Sequence, residues 1–269
     1  MYRSSVNPSM QAIILAAGFG TRLQPLTNTI PKPLLPIAKR PLIVWNLRLL
    51  RDHGITKVIV NLHHLGDQIE RYLGSGSHLG MHIAYSREKK ILGTGGGIKQ
   101  AEQFLRESSD DAFLVFNGDT IINIDLSHMI DNHFTHGGLA TMAVRNDPDV
   151  DRWGALELDN TNRIVTILGR GQPAAHKTQP ITRKMFAGVH IMSPLLLRDI
   201  PIGQESSIIS PYMKCLEDGA KIYGYQTTGY WSDVGTPERY DQTKRDAEDG
   251  ILNWISWEEC ATKTGGQNL

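Results

Sequence analysis

Cysteine is nearly absent: the 269 residues hold only Cys215 and Cys260, and neither has metal-ligand spacing. That excludes a disulfide scaffold or a thiolate zinc site and fits a reducing, cytoplasmic setting. An excess of one charge is also missing, since 28 Lys and Arg balance 28 Asp and Glu. A nucleic-acid binder shows a basic excess or stripe, so no nucleic-acid partner is expected. Any anion site must be built locally from a few placed residues. No apolar run approaches membrane-spanning length, and the opening "MYRSSVNPSM" lacks the apolar centre of a signal peptide, so no membrane partner is expected either. The histidines, including the pair at 63 and 64, show no zinc-ligand pattern and read as surface or packing residues. No Ser or Cys nucleophile motif occurs.

With 40% hydrophobic residues, the chain can bury a large core. Strand-like runs at 12–17, 57–62, 82–86 and 112–117 alternate with helix-like stretches at 41–54, 66–74 and 96–107, with Gly54 as a stop. Such alternation implies an α/β fold with a parallel sheet between helices. After about residue 137, runs at 139–146, 154–159, 163–168 and 186–192 are strand-like with fewer helices, which predicts a mixed extension of the sheet. A last helix is expected over 236–249, with Thr236 as N-cap and Pro237 in its first turn. Residues 1–9 read as a flexible extension, 10–250 as one domain with halves at about 10–137 and 138–250, and 251–269 as a tail.

The stretch "LAAGFGTRLQPLTNTIPKPLLPI" (15–37) carries the first chemical signal. "GFGTRL" meets two positions of G-x-G-x-x-G, but Leu23 stands where the third glycine belongs. Pro25, Pro31, Pro33 and Pro36 then prevent the helix that a dinucleotide fold needs, which also removes a nicotinamide-dependent oxidoreductase. No G-K-S/T closes a P-loop. What remains is a glycine turn at a strand end whose N–H groups approach phosphates, with Arg22 as a planar cationic fork. Lys32, held between two prolines, aims one ammonium from an extended backbone. "LGTGGGIKQA" (92–101) reads as a second glycine turn against which a base or ribose could press, leading into a helix whose N-terminus offers N–H groups to an anion. Asp119, in "VFNGDT", follows a strand and should share a crevice with residues 18–22. A carboxylate beside phosphate-binding groups needs a cation, so Mg2+ is the expected cofactor, with Asp233 of "YWSDVGTPERY" as the second acidic ligand.

These motifs together resemble the sugar-nucleotide pyrophosphorylases, the sugar-1-phosphate nucleotidyltransferases, over about residues 11 to 247. "LAAGFGTRLQPLTNTIPKPLLPI" is similar to their signature loop, and "LGTGGGI", "NGD", "AGVHIMSP" and "WSDVGTPERY" follow in the family's order. The resemblance implies a Rossmann-like mixed, mainly parallel sheet flanked by helices, with no β-helix domain appended. It implies catalytic roles for Arg22, Lys32 and Asp119, and a nucleotide site at Leu15, Ala16, Ala17, Gly18, Gly20, Thr21, Arg22, Gly93 and Thr94. The sugar phosphate would meet Asn117, Gly154, Arg170 and Gly188, and Asp119 and Asp233 would hold Mg2+. One departure stands out: many relatives carry a Glu-Lys pair where this chain reads "ILGRGQP", so Gly169 and Arg170 take those places.

The implied reaction joins a nucleoside triphosphate to a sugar 1-phosphate with release of pyrophosphate. "NGDTIINIDL" and "DRWGALELD" are similar to mannose- and heptose-1-phosphate guanylyltransferases, which favours GTP and mannose 1-phosphate or a related sugar. "TGGGI" and "YWSDVGTPERY" are equally similar to muramic-acid-1-phosphate uridylyltransferases. Uridylyl or thymidylyl transfer to another sugar 1-phosphate is therefore the alternative. A non-catalytic regulatory paralogue that binds a sugar nucleotide is the rival from another class, and the presence of Arg22, Lys32, Asp119 and Asp233 together speaks against it. The resemblance is compatible with a homo-oligomer.

Overall fold

Strand β1 (Gln11–Leu15) sends its side chains alternately into two apolar layers: Ala12 and Ile14 join one, Ile13 the other. A strand buried on both faces belongs at the centre of a sheet with helices on either side, and that is its place in the computed structural model, which describes residues 10–105, 112–172, 180–255 and 257. After β1, a loop of short 3-10 turns leads to a small hairpin of β2 (Pro36–Ile37) and β3 (Arg40–Pro41). Then come α1 (Leu42–Asp52), β4 (Lys57–Leu62), α2 (Gly66–Leu73), β5 (His82–Arg87), α3 (Gly93–Leu105) and β6 (Phe113–Asn117). Strands β5, β4, β1 and β6 lie side by side and parallel, so their C-terminal ends open on one edge.

The second half adds β7 (Thr120–Ile122), α4 (Leu126–His136), β8 (Ala140–Arg145), α5 (Val150–Trp153), β9 (Ala155–Leu158), β10 (Ile164–Ile167) and β11 (Arg170–Gly171). The chain continues through β12 (Thr182–Met192), α6 (Ile209–Glu217), β13 (Ile222–Gln226), β14 (Trp231–Asp233) and α7 (Pro237–Glu248). The long strand β12 runs antiparallel to β6 through residues 189–192 and to β9 through residues 182–185, while β8 pairs along its other edge. One ten-stranded mixed sheet thus spans both halves, in agreement with the sequence reading.

Most elements fall within a few residues of expectation. Gly54 ends α1 with a φ of +78°, and Thr236 caps α7 by accepting a hydrogen bond from the Arg239 N–H at 3.4 Å. The small sheet of β14 and β7, with Asp233 opposite Thr120, places the two halves' acidic segments together. The expectations for residues 1–9 and for most of 251–269 lie outside the described residues. No helix among the described residues is long and apolar enough to cross a membrane.

Candidate active site

A cavity of about 350 Å³ opens where the parallel strands end. It is lined by the end of β1 and the turn after it (Leu15, Ala16, Ala17, Gly18, Gly20, Thr21, Arg22), by Lys32, by Gly93 and Thr94, and by Asn117 and Asp119. The placement follows from topology: in a parallel sheet the C-terminal ends of the strands leave a crevice that loops can furnish.

The loop after β1 is folded back on itself. Gly20 has a φ of +66°, and a side chain there would press on Thr27 Cγ2 at 2.9 Å and on Lys32 Cβ at 3.3 Å. The Thr27 hydroxyl donates to the Gly20 carbonyl at 2.9 Å. These contacts hold the glycine turn and the Lys32 segment at fixed spacing. Gly18 has nothing within 4 Å of where a side chain would start, so its cavity side is open.

Lys32 Nζ lies 2.6 Å from Asp119 Oδ2, with the lysine 11% and the aspartate 32% exposed. The Val234 N–H donates to the Asp119 carbonyl at 2.8 Å, tying the β14 end to the β6–β7 turn. Asp233 follows from that tie. Burial and the neighbouring Asp119 push its carboxyl above the usual aspartate value, against the pull of Arg239, Lys32 and Arg22. Its Oδ1 is buried without a hydrogen-bond partner, and Arg239 Nη2 stands at 3.7 Å, too far for a hydrogen bond. A side chain at Gly235 would meet Asp233 Oδ1, Arg239 Nη2 at 2.8 Å and Arg22 Nη2 at 3.1 Å. Two arginines, one lysine and two carboxylates therefore gather together, with Arg22, Lys32 and Asp119 lining the cavity and Asp233 and Arg239 behind that lining.

A hydrogen-bond relay fixes the opposite wall. Asn61 Oδ1 accepts from the Ala16 N–H at 2.6 Å, and Asn61 Nδ2 donates to Glu88 Oε1 at 2.7 Å. Glu88 Oε2 accepts from the Leu92 N–H at 2.8 Å. Burial raises the Glu88 carboxyl's pKa, opposed by those two hydrogen bonds and by His63. Asn61 and Glu88 line the cavity and were not singled out in the sequence. Glu88 directly follows β5, as Asp119 comes just after β6, so the rule that pointed to Asp119 could have found it. The histidine pair packs: His63 and His64 sit beside the Phe19 ring at 5.4 and 5.5 Å.

One expectation needs correction. The sequence predicts a turn at the glycines of "TGGGI" ahead of a helix, but α3 already begins at Gly93 and contains them. A Cβ at Gly95 would lie 2.9 Å from the Ser207 carbonyl carbon, one at Gly96 would collide with the Gln204 carbonyl oxygen, and one at Gly97 would lie 2.7 Å from both Asn61 Nδ2 and Glu88 Oε1. The chain's own backbone and the Asn61–Glu88 relay, rather than a base, press on these three positions. Arg170 stands outside the cavity lining. Its guanidinium pairs with Glu217 of α6 at 2.8 Å, with the two side chains 62% and 43% exposed.

Of the other sugar-side residues, Asn117 lines the cavity, whereas Gly154 and Gly188 are not in its lining. Gly188 has a φ of +83°, and a side chain there would meet Thr120 Oγ1 at 2.6 Å and Asn117 Cβ at 3.4 Å. Gly154, also at +83°, ends α5 next to Trp153. Trp153 packs edge-on against Trp231 at 5.2 Å, Arg239 lies 4.9 Å over Trp153, and Arg145 lies 5.4 Å over Trp231. Arg145 Nε and Arg239 Nε and Nη1 are buried without hydrogen-bond partners. Unpaired buried donors of this kind are costly. No spacing signal marks this aromatic recess in the sequence, because Arg145, Trp153, Trp231 and Arg239 come from four separate segments.

For Mg2+, the donor set can be judged from Asp119 and Asp233. Two carboxylates, one with an orphaned buried oxygen, suit an ion that takes only one or two protein carboxylates and completes its shell with phosphate and water. Among the described residues no cluster of three or more His, Cys, Asp or Glu forms a dedicated metal cage.

Residues 11–250 match the family described as Nucleotidyl transferase. A UTP–glucose-1-phosphate uridylyltransferase of Synechocystis sp. is 34% identical over 91% of the chain and 64% of its own length. A mannose-1-phosphate guanylyltransferase of Mycobacterium tuberculosis is 34% identical over 90% of the chain and 66% of its own length. The chain thus spans just under two thirds of these relatives. Among solved structures, HddC from Yersinia pseudotuberculosis complexed with GMP-PN is 25% identical with a TM-score of 0.72, covering 88% of the chain and 99% of that protein.

Proposed function

Because the chain belongs to the nucleotidyl transferase family, we propose that it transfers a nucleotidyl group from a nucleoside triphosphate to a sugar 1-phosphate, forming a nucleotide sugar and pyrophosphate. The observation that carries this reading is the gathering of Arg22, Lys32, Asp119 and Asp233 at the crevice over the parallel strands. A cytoplasmic setting, with its triphosphate supply, suits the reaction.

The chemistry asks little of the protein beyond placement and charge. A sugar phosphate oxygen is already ionised, so no general base is required. That oxygen attacks the α-phosphorus, the new P–O bond forms, and the α–β bridging bond breaks with its electron pair leaving on pyrophosphate. Backbone N–H groups of the turn at 18–22 hold the triphosphate, and Arg22 balances charge on the departing pyrophosphate. Lys32, fixed by prolines and by Asp119, places one ammonium at the reacting phosphates. Asp119 and Asp233 would hold Mg2+, which when bound supplies neutralisation of the triphosphate. Ala16, Ala17, Gly93 and Thr94 form the nucleoside wall, with Asn61 and Glu88 keeping Ala16 in place. Asn117, Gly154 and Gly188 border the sugar. Arg170 is left out of this role because Glu217 engages it.

GTP with mannose 1-phosphate or a related sugar is the favoured pair, supported by the guanylyltransferase relatives and by the GMP-PN complex. Uridylyl transfer is the second reading, since the uridylyltransferase relative is just as similar at 34%. Pyrophosphate release measured over a matrix of five triphosphates and several sugar 1-phosphates, with Mg2+, separates them. Turnover with GTP and mannose 1-phosphate or a related sugar is expected. Turnover confined to UTP or dTTP would replace that pair, and no release with any combination would reject the enzymatic reading.

A further inference from the structure

A second cavity of about 250 Å³ lies against α1, and none of its lining residues lines the first. Its walls include Arg40, Arg48 and Arg51, the rings of Tyr72 and Trp257, and His78. In a chain of zero formal net charge, three guanidinium groups around one small hollow are a local concentration rather than a basic surface.

Among the described residues, the carboxylates nearby do not balance them. Asp52 pairs with Arg48 at 2.8 Å and stands 3.8 Å from Arg51, so one carboxylate serves two arginines. Arg48 and Arg51 are only 15% and 25% exposed, which strengthens their field relative to freely solvated side chains. Arg51 also donates to the Leu79 carbonyl at 3.0 Å, which holds its fork in place. Among the described residues no carboxylate pairs with Arg40. It lies instead over the Trp257 ring at 4.3 Å, and Trp257 is itself held edge-on by Trp45 at 4.8 Å. Among the described residues the hollow therefore combines more cationic donors than carboxylates with the held ring of Trp257 and the exposed ring of Tyr72.

We propose that this cavity is a second ligand site, for a small phosphate ester carrying a flat ring. Guanidinium forks match phosphate oxygens in charge and geometry, and the Tyr72 and Trp257 rings supply an apolar wall for the ring of the ester. The site does not depend on the transferase reading.

Phenyl phosphate is the probe, titrated calorimetrically into the full chain. One saturable equivalent is expected in the unaltered protein and in Arg22→Ala, which disables the first cavity. Arg40→Gln alone should weaken binding about tenfold, and Arg40→Gln with Arg48→Gln further, because each removes a charge-assisted hydrogen bond. Unchanged melting temperatures separate this loss from unfolding, and the Arg51 contact to Leu79 is left intact for that reason. No saturable binding, equal binding by the Arg40→Gln chain, or loss in Arg22→Ala alone would overturn the assignment. Phenol or inorganic phosphate binding as tightly as phenyl phosphate would overturn it as well.

Discussion

The chain's two glycine-rich segments look alike in sequence and differ in what lies against them. At the first, Gly18 faces open space and lines the larger cavity, while Gly20 adopts a left-handed φ that lets Thr27 and Lys32 close in. At the second, Gly95, Gly96 and Gly97 are buried inside α3 against residues 204–208, Asn61 and Glu88. Glycine marks a close approach in both places. In the first the approaching group is left to a ligand, and in the second it is the chain itself. A glycine motif read from sequence therefore locates a contact without saying who makes it.

Substitutions can break that contrast, beginning with the charged partner of the first segment. Arg22→Ala should lower turnover on the order of 10²–10³-fold with little change in melting temperature, as expected for one preorganised charge at the reacting phosphates. In the second segment Gly96→Ala should lower stability by about 1–3 kcal/mol, because the added methyl meets the fixed Gln204 carbonyl. Gly18→Ala is its counterpart. It should leave the urea midpoint unchanged and raise KM for the triphosphate several-fold, since only a ligand would feel the methyl.

Asp233 sharpens the comparison through pH. Its carboxyl is pushed above the ordinary value of 3.8, so the folded chain binds more protons than the unfolded chain between the ordinary and the raised value. Stability is then lost as pH rises through that window and levels off above it. Thermal melts of Asp233→Asn without triphosphate or Mg2+ should show an advantage over the unaltered chain that grows across the window, while its Mg2+-dependent activity falls. The smallest effect belongs to Arg170→Ala. An exposed pair with Glu217 is worth little, so stability should shift by less than about 0.5 kcal/mol and KM for the sugar phosphate should not move.

Much of this was legible in the sequence because two simple signals carried it. Alternating strand and helix periodicity gave β1, β4, β5 and β6, and the parallel arrangement then fixed where Gly18, Arg22 and Asp119 must meet. Lys32 was legible because prolines on both sides restrict it, and it reaches Asp119. The Asn61–Glu88 relay was not, since it depends on which residues of β4 and β5 reach the first strand's end. Nor were α4 and α6, or the recess of Trp153, Trp231, Arg145 and Arg239. That recess exists only once the β14–β7 pairing brings α7 against α5, and no local pattern encodes such a meeting.

The decisive observation is the fate of a label placed at the α-phosphorus of the triphosphate, followed with GTP and mannose 1-phosphate in the presence of Mg2+. In-line transfer requires the label to appear in the nucleotide sugar, with unlabelled pyrophosphate released in equal amount and both lost together in Arg22→Ala. Label recovered as nucleoside diphosphate or monophosphate, or retained in untouched triphosphate across every base and sugar tried, would contradict a nucleotidyl transfer built on Arg22, Lys32, Asp119 and Asp233.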